Sequence, residues 1–297
     1  MLDFEEHDLA PEDWRALRAL TGELDRCRSA DRELPARLAE ADCLLVQLGV
    51  AVTPELLDSA PRLRYVGVFG TSTGRIDLGG RRGIEIRNVP GFSTQAVAEF
   101  AVGIVLEHLR GLSSARARAA GGDFSEPARP GRELRGRRMA VLGLGAIGRR
   151  VAEIARDGFG AEVRYWSRTP RPEAAIPRME VDALLADSEI VSVHLALAPE
   201  TRRFLDAERI ARLPHGALLV HLAPPELVDV RALIGRLRDS CVHFVTDHAD
   251  EMDPRDVDEL SRTDACTFYP PIGYCTGEAK TARRARFLGD LREFLVS

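Results

Sequence analysis

The chain has 297 residues, more than one hydrophobic core usually organises, so two domains are expected. Its 45% hydrophobic and 29% charged residues suit a globular chain, and a net charge of −5 argues against a nucleic-acid surface. No apolar run reaches the length of a membrane span, and the acidic start at residues 1–6 lacks the basic region of a secretory leader. The five cysteines (27, 43, 241, 266 and 275) are odd in number and form no CxxC. They predict reduced thiols in a cytoplasmic protein, with no disulfide framework and no metal site.

In chain order, 41–48 (ADCLLVQL), 63–69 (LRYVGVF) and 84–88 read as strands. Thr53-Pro54 opens a helix between the first two, Thr as cap and Pro at the first helical position. This alternation predicts a parallel sheet covered by helices. Residues 93–110 (STQAVAEFAVGIVLEHLR) form a helix that is apolar around much of its circumference, which predicts burial between domains or subunits. The stretch 121–138 is rich in Gly, Pro and Arg and reads as an exposed connector. It has no aromatic platform that would turn its arginines toward nucleic acid. Strands follow at 139–143, 162–166, 190–195, 217–222, 242–246 and 266–269, with helices between them and a closing helix at 277–295.

Residues 139–149 read MAVLGLGAIGR, a strand running into Gly143-x-Gly145-x-x-Gly148 and then a helix opened by Ala146 and Ile147. In that setting the first Gly makes the tight turn, the second lets backbone approach a pyrophosphate, and the third lets helix and strand pack closely. Amides at the helix start then face the anion. The next strand ends in Ser167-Arg168-Thr169, with Arg171 close behind. An NAD site usually places a carboxylate here for the ribose 2′-hydroxyl. Cations in its place favour the 2′-phosphate of NADP, with NAD as the alternative.

The segments PRLRYVGVFG, GIEIRNVPGFSTQAVAEFAVG, LRGRRMAVLGLGAIGRRVA, IVSVHLALAPETRRFL and GALLVHLA extend over most of the chain. Through them it resembles the D-2-hydroxyacid dehydrogenases. The resemblance implies an α/β protein of two doubly wound parallel-sheet domains. A flavodoxin-like substrate domain would take 1–92 plus 275–297, and a Rossmann dinucleotide-binding domain 93–274. Hinges would fall near 91–94 and 272–276, with substrate held against the nicotinamide in a cleft. A small oxo or hydroxy acid is implied as substrate, while the buried character of 93–110 supports a homodimer; no membrane partner is expected.

The family's carboxylate-binding turn falls on Gly70, Thr71 and Ser72, where Ser72 replaces a usual Gly and Gly74 a usual Asp. His194, Thr201, Leu222, Ala223 and Asp247 map beside the cofactor, with Ala196 at a usual Pro. The family's catalytic Arg, Glu and His fall on Pro224, Met252 and Pro271. Proline offers neither a proton nor a donor, so the acid/base group must differ. His248 is taken as that group. His221, Glu226, Tyr269, Tyr274 and Cys275 are further substitutes, and Arg75 or Arg231 could replace the lost cation. Two other readings stay open: a lyase, isomerase or cyclase that retains its cofactor, and a non-catalytic NADP(H)-binding protein.

Overall fold

The computed structural model describes residues 1–238 and 241–296. The chain divides into two compact units, Met1–Ser93 with Gly277–Ser297, and Thr94–Thr276.

The first unit runs α1 (Pro11–Leu20), α2 (Leu34–Leu38), β1 (Cys43–Gln47), α3 (Pro54–Asp58), β2 (Tyr65–Phe69) and β3 (Glu85–Arg87). Its three strands are parallel and adjacent in that order. Thr53 caps α3 as expected, its Oγ1 accepting from Leu56 N at 3.3 Å. Outside β1, Leu2 makes parallel bridges to both Val46 and Cys27. The line across the sheet is therefore Cys27, Leu2, β1, β2, β3. In chain terms this is the 2-1-3-4-5 order of a flavodoxin-like fold, with the first two strands reduced to single bridges. Alternate residues serve opposite faces. Leu45, Tyr65 and Phe69 pack under Trp14 and Leu17 of α1, while Leu44, Val46, Val66 and Val68 pack against Leu34, Leu38 and Leu57.

The second unit begins with α4 (Thr94–Arg110) and α5 (Leu112–Ala120), then β4 (Arg138–Leu142) and α6 (Ala146–Glu153). It continues with β5 (Glu162–Trp166), α7 (Val181–Ala186), β6 (Ile190–Val193), α8 (Ala207–Arg212) and β7 (Ala217–His221). It ends with α9 (Val230–Arg238), β8 (Val242–Thr246), α10 (Pro254–Leu260) and β9 (Cys266–Phe268). The sheet order is β5-β4-β6-β7-β8-β9, with every pairing parallel. From β4 the chain steps to β5 on one side and then to β6 on the other. The C-terminal end of β4 is therefore the switch point, where α/β sheets bind ligands. The closing helix α11 (Gly277–Val296) returns to the first unit, where Phe287 and Leu291 enter its core.

Two expectations need adjustment. The apolar side of α4 is covered within its own unit: Ala98, Ala101, Val102, Ile104, Val105 and Leu109 join the core under α6 and the sheet. Several strands also stop short of their predicted ends. Those expected to reach 195, 222 and 269 stop at Val193, His221 and Phe268, because the chain turns out of the ladder at the sheet's C-terminal edge.

At that edge α6 lies hard against β4. A Cβ on Gly148 would stand 1.9 Å from the Gly143 carbonyl oxygen, and a Cβ on Gly143, at φ +93°, would stand 2.5 Å from His194 O. Neither neighbour is a side chain that can swing away. Gly148→Ala should therefore destabilise the protein by about 1–3 kcal/mol or more. Thermal unfolding checks this, and an unchanged midpoint would contradict the packing.

Candidate functional site

Gly145 differs from its two partners. It begins α6 with ordinary extended backbone, φ −75° and ψ −166°, and a Cβ there would meet no protein atom within 4 Å. Nothing in the fold requires glycine at this position. What a Cβ would obstruct is a group lying on the start of α6, where the first-turn amides lack partners within the helix. A dinucleotide pyrophosphate fits that cradle.

Strand β5 leads to the second feature. Gly143 N donates to Trp166 O at 2.8 Å, which ties the glycine turn to the end of β5. Ser167 is buried, and its hydroxyl donates to Thr169 O at 2.6 Å, so its side chain serves its own turn. Arg168 and Arg171 are exposed. Arg168 makes one loose ion pair, 3.8 Å to the equally exposed Glu200, and such pairs contribute little. Two cations thus stand beside the start of the helix where a carboxylate is usual.

The third feature is a row of polar groups at the ends of β6, β7 and β8. The register aligns Val193, His221 and Thr246, so His194, His221 and Asp247 emerge together. His194 Nε2 lies 2.8 Å from Ser192 Oγ, and burial pushes its pKa down to about 4. His221 is fully buried, and its Nε2 donates to the Pro224 carbonyl at 3.1 Å. Burial takes its pKa to about 3, with a smaller push from His248. Both rings are therefore neutral at pH 7. His221 Nδ1 and Asp247 Oδ1 are buried without hydrogen-bond partners, and burial raises the Asp247 pKa. Such atoms are costly in a core. Asp247 Oδ2 accepts from Gly273 N at 3.4 Å.

His248 lies between two carboxylates, Nε2 at 3.5 Å from Asp247 Oδ1 and Nδ1 at 3.6 Å from Glu251 Oε1. Its side chain is 26% exposed. It combines access to solvent with charged partners, which His194 and His221 do not. The Glu251 contact is made by the short helical turn Ala249–Glu251, which brings a carboxylate adjacent to Met252 back to the His248 ring.

The remaining expected residues fall as follows. Thr201 spends its hydroxyl on its own loop, accepting from Ala198 N at 2.8 Å and donating to Ala196 O at 2.7 Å. Leu222 is half-buried and Ala223 buried. Met252 packs into the core, and Pro271 is exposed. The Tyr269 hydroxyl donates to Glu107, while Tyr274 and Cys275 are exposed. Arg231 pairs with Asp256 at 3.5 Å, and Arg75 donates to Gly49 O at 2.7 Å. Glu226, Arg231, Glu251 and Met252 help line a hollow of about 360 Å³ beside the ends of β7 and β8. In the first unit, the turn Gly70-Thr71-Ser72 is held by Asn88 Nδ2 donating to Thr71 O at 2.6 Å, and Thr71 and Ser72 are exposed.

Comparison with known proteins matches residues 102–273 to the family described as D-isomer specific 2-hydroxyacid dehydrogenase, NAD binding domain. A glyoxylate reductase of Thermofilum pendens is 31% identical over 84% of this chain and 76% of the relative. A hydroxypyruvate reductase of Thermotoga maritima is 29% identical over 84% and 83%. Among solved structures, a 2-hydroxyacid dehydrogenase of Ketogulonicigenium vulgare Y25 shares the fold with a TM-score of 0.88, at 24% identity over 99% of this chain and 94% of that one. The chain belongs to the D-isomer-specific 2-hydroxyacid dehydrogenases, an oxidoreductase family built on an NAD-binding domain.

Proposed function

We propose that the protein interconverts a small 2-oxo acid and its 2-hydroxy acid with NADP as hydride carrier and His248 as proton donor and acceptor. The observation that carries this reading is Gly145, a glycine that neither its backbone nor its neighbours require. When bound, the nicotinamide supplies or accepts the hydride. Gly143, Gly145, Ala146, Ile147 and Gly148 would seat the pyrophosphate. Arg168, with Arg171, would take the 2′-phosphate, beside the turn formed by Ser167 and Thr169. Asp247 would accept from the carboxamide, using an oxygen that has no hydrogen bond in the protein. His194, Thr201, Leu222 and Ala223 would flank the cofactor. Gly70, Thr71 and Ser72 would receive the substrate carboxylate. Homodimeric assembly in the cytoplasm belongs to the same reading.

His248 is assigned over the two other histidines of the row and Tyr269, which are spent. His194 and His221 are held neutral, and Tyr269 is tied to Glu107. A carboxylate faces each ring nitrogen of His248, at 3.5 and 3.6 Å, and its ring reaches solvent, the placement a group needs to exchange a proton with a carbonyl oxygen. A second reading, a cofactor-retaining protein without net redox turnover, draws on Pro224, Met252 and Pro271 standing where the family has its Arg, Glu and His.

Calorimetry with NADPH and NADH, followed by turnover on glyoxylate, pyruvate and hydroxypyruvate, separates the two readings. Tight NADPH binding with turnover is expected; tight binding without turnover on any of them would favour the second. Replacing Arg168 and Arg171 by Ala should weaken NADPH roughly 10- to 100-fold and leave NADH unchanged, the worth of charged hydrogen bonds to one phosphate. An equal loss for both cofactors would remove the 2′-phosphate assignment.

His248→Asn should lower kcat roughly 100- to 10,000-fold while NADPH still binds. Wild-type turnover in that variant would leave His248 without a catalytic role. The neutrality of His221 has its own signature. A histidine whose folded pKa is lowered stabilises the fold above its unfolded value, and the stability is lost as pH falls from about 6.5 toward 3. By pH 4 the His221 share of that loss is roughly 3 kcal/mol. Stability measured against pH should therefore fall less steeply below pH 6.5 in His221→Asn than in wild type. Parallel curves would show that His221 is not held neutral.

A further inference from the structure

With Pro224 mapped to the family's arginine position, the proposed substrate needs another cation for its carboxylate, one that lies at the Gly70-Thr71-Ser72 turn. We infer that Arg283 of α11 is a carboxylate-recognising residue, acting with the Gly70-Thr71-Ser72 turn on a small 2-oxo or 2-hydroxy acid. This rests on the reading of the previous section.

The placement comes from two aromatic rings. The Arg283 guanidinium carbon lies 4.0 Å from the ring centroid of Phe69 and 5.4 Å from that of Phe92. Phe69 is the last residue of β2 and is bonded to Gly70, and Phe92 lies a few residues beyond the end of β3. Arg283 thus caps the C-terminal edge of the small parallel sheet, the edge at which α/β sheets take ligands. One helical turn further on, Phe287 packs edge-on against Phe69 at 5.0 Å, which fixes the helix and with it the origin of the arginine stem.

Stacking has a chemical consequence. A guanidinium lying on a ring uses its face, and its N–H donors point outward in its plane. It carries five such donors, so one carboxylate can share it with other acceptors. The rings also lower the local dielectric, which strengthens attraction to an anion. The adjacent turn is pinned by Asn88 on Thr71 O and by Val89 N donating to Gly70 O at 2.8 Å. The turn is therefore fixed before a ligand arrives. Both elements belong to the first unit.

The test is calorimetric binding of oxalate, an unreactive dicarboxylate, to the full chain without cofactor. It compares wild type with Arg283→Met, Arg283→Gln and Arg283→Lys. Met keeps the stem packing without charge, Gln keeps polarity, and Lys keeps charge without the planar fork. Wild type should bind oxalate. Met and Gln should weaken it roughly 10- to 100-fold, and Lys should fall between. With glyoxylate as substrate, Met should raise KM by a similar factor and leave kcat within about threefold, the mark of lost ground-state binding. Thermal unfolding identifies any variant that fails to fold, and the folded ones decide the result. Wild-type oxalate affinity in a folded Met or Gln variant would overturn the assignment, as would absence of oxalate binding to wild type. Oxalate binding that depends on Arg283, together with no NADPH oxidation on any 2-oxo acid, would leave this site standing and sink the reductase reading.

Discussion

The contact on which the rest of the site depends is between backbones. Where α6 meets β4, position 148 can carry no Cβ because the Gly143 carbonyl occupies the space, and position 143 can carry none because His194 O does. Three segments, from β4, α6 and the end of β6, are thereby drawn together at the switch point of the sheet. Side chains of any size would hold them apart, and the helix start would no longer sit over the strand ends. Because this closeness is settled by Gly143 and Gly148, Gly145 is left facing open space, and the first-turn amides of α6 point where an anion can reach them.

Electrostatics at the neighbouring strand ends follow from the same geometry. The parallel register of β6, β7 and β8 brings His194, His221 and Asp247 to one edge. Burial then separates their roles. Two imidazoles are driven to the neutral state, and a carboxylate is pushed toward protonation. His221 Nδ1 and Asp247 Oδ1 lie there without hydrogen-bond partners. A fold selected for stability alone would satisfy or delete them. Their presence at a strand-end edge, next to a partly exposed histidine flanked by carboxylates, supports the binding site proposed above.

Elements with strong local chemistry were legible in the sequence. The glycine spacing, the Thr53-Pro54 helix start and the apolar runs of the larger sheet each depend on residues close in the chain, and they appear in the fold at nearly the expected limits. The features that escaped depend on distance. The two outer positions of the small sheet are single bridges at Leu2 and Cys27, too short to show any alternation. The apolar side of α4 packs under α6 and the sheet of its own unit, partners that the helix's own periodicity does not name. Tyr269 meets Glu107 across 162 residues. Arg283 meets Phe69 only because α11 returns to the first unit at the end of the chain.

That return bears on how the proposed site recognises its acid. An arginine at position 224 would belong to the dinucleotide unit, and Gly70 belongs to the other. With Pro224 mapped to that place, the proposed contacts of Arg283 and the Gly70 turn to the carboxylate would both come from a single unit, whose aromatic core of Phe4, Phe69 and Phe287 is already packed. Carboxylate binding then draws on preorganised groups and costs little ordering. On the proposed reading, the substrate carboxylate is an anchor held within one unit, and position 224 is not needed to bind it.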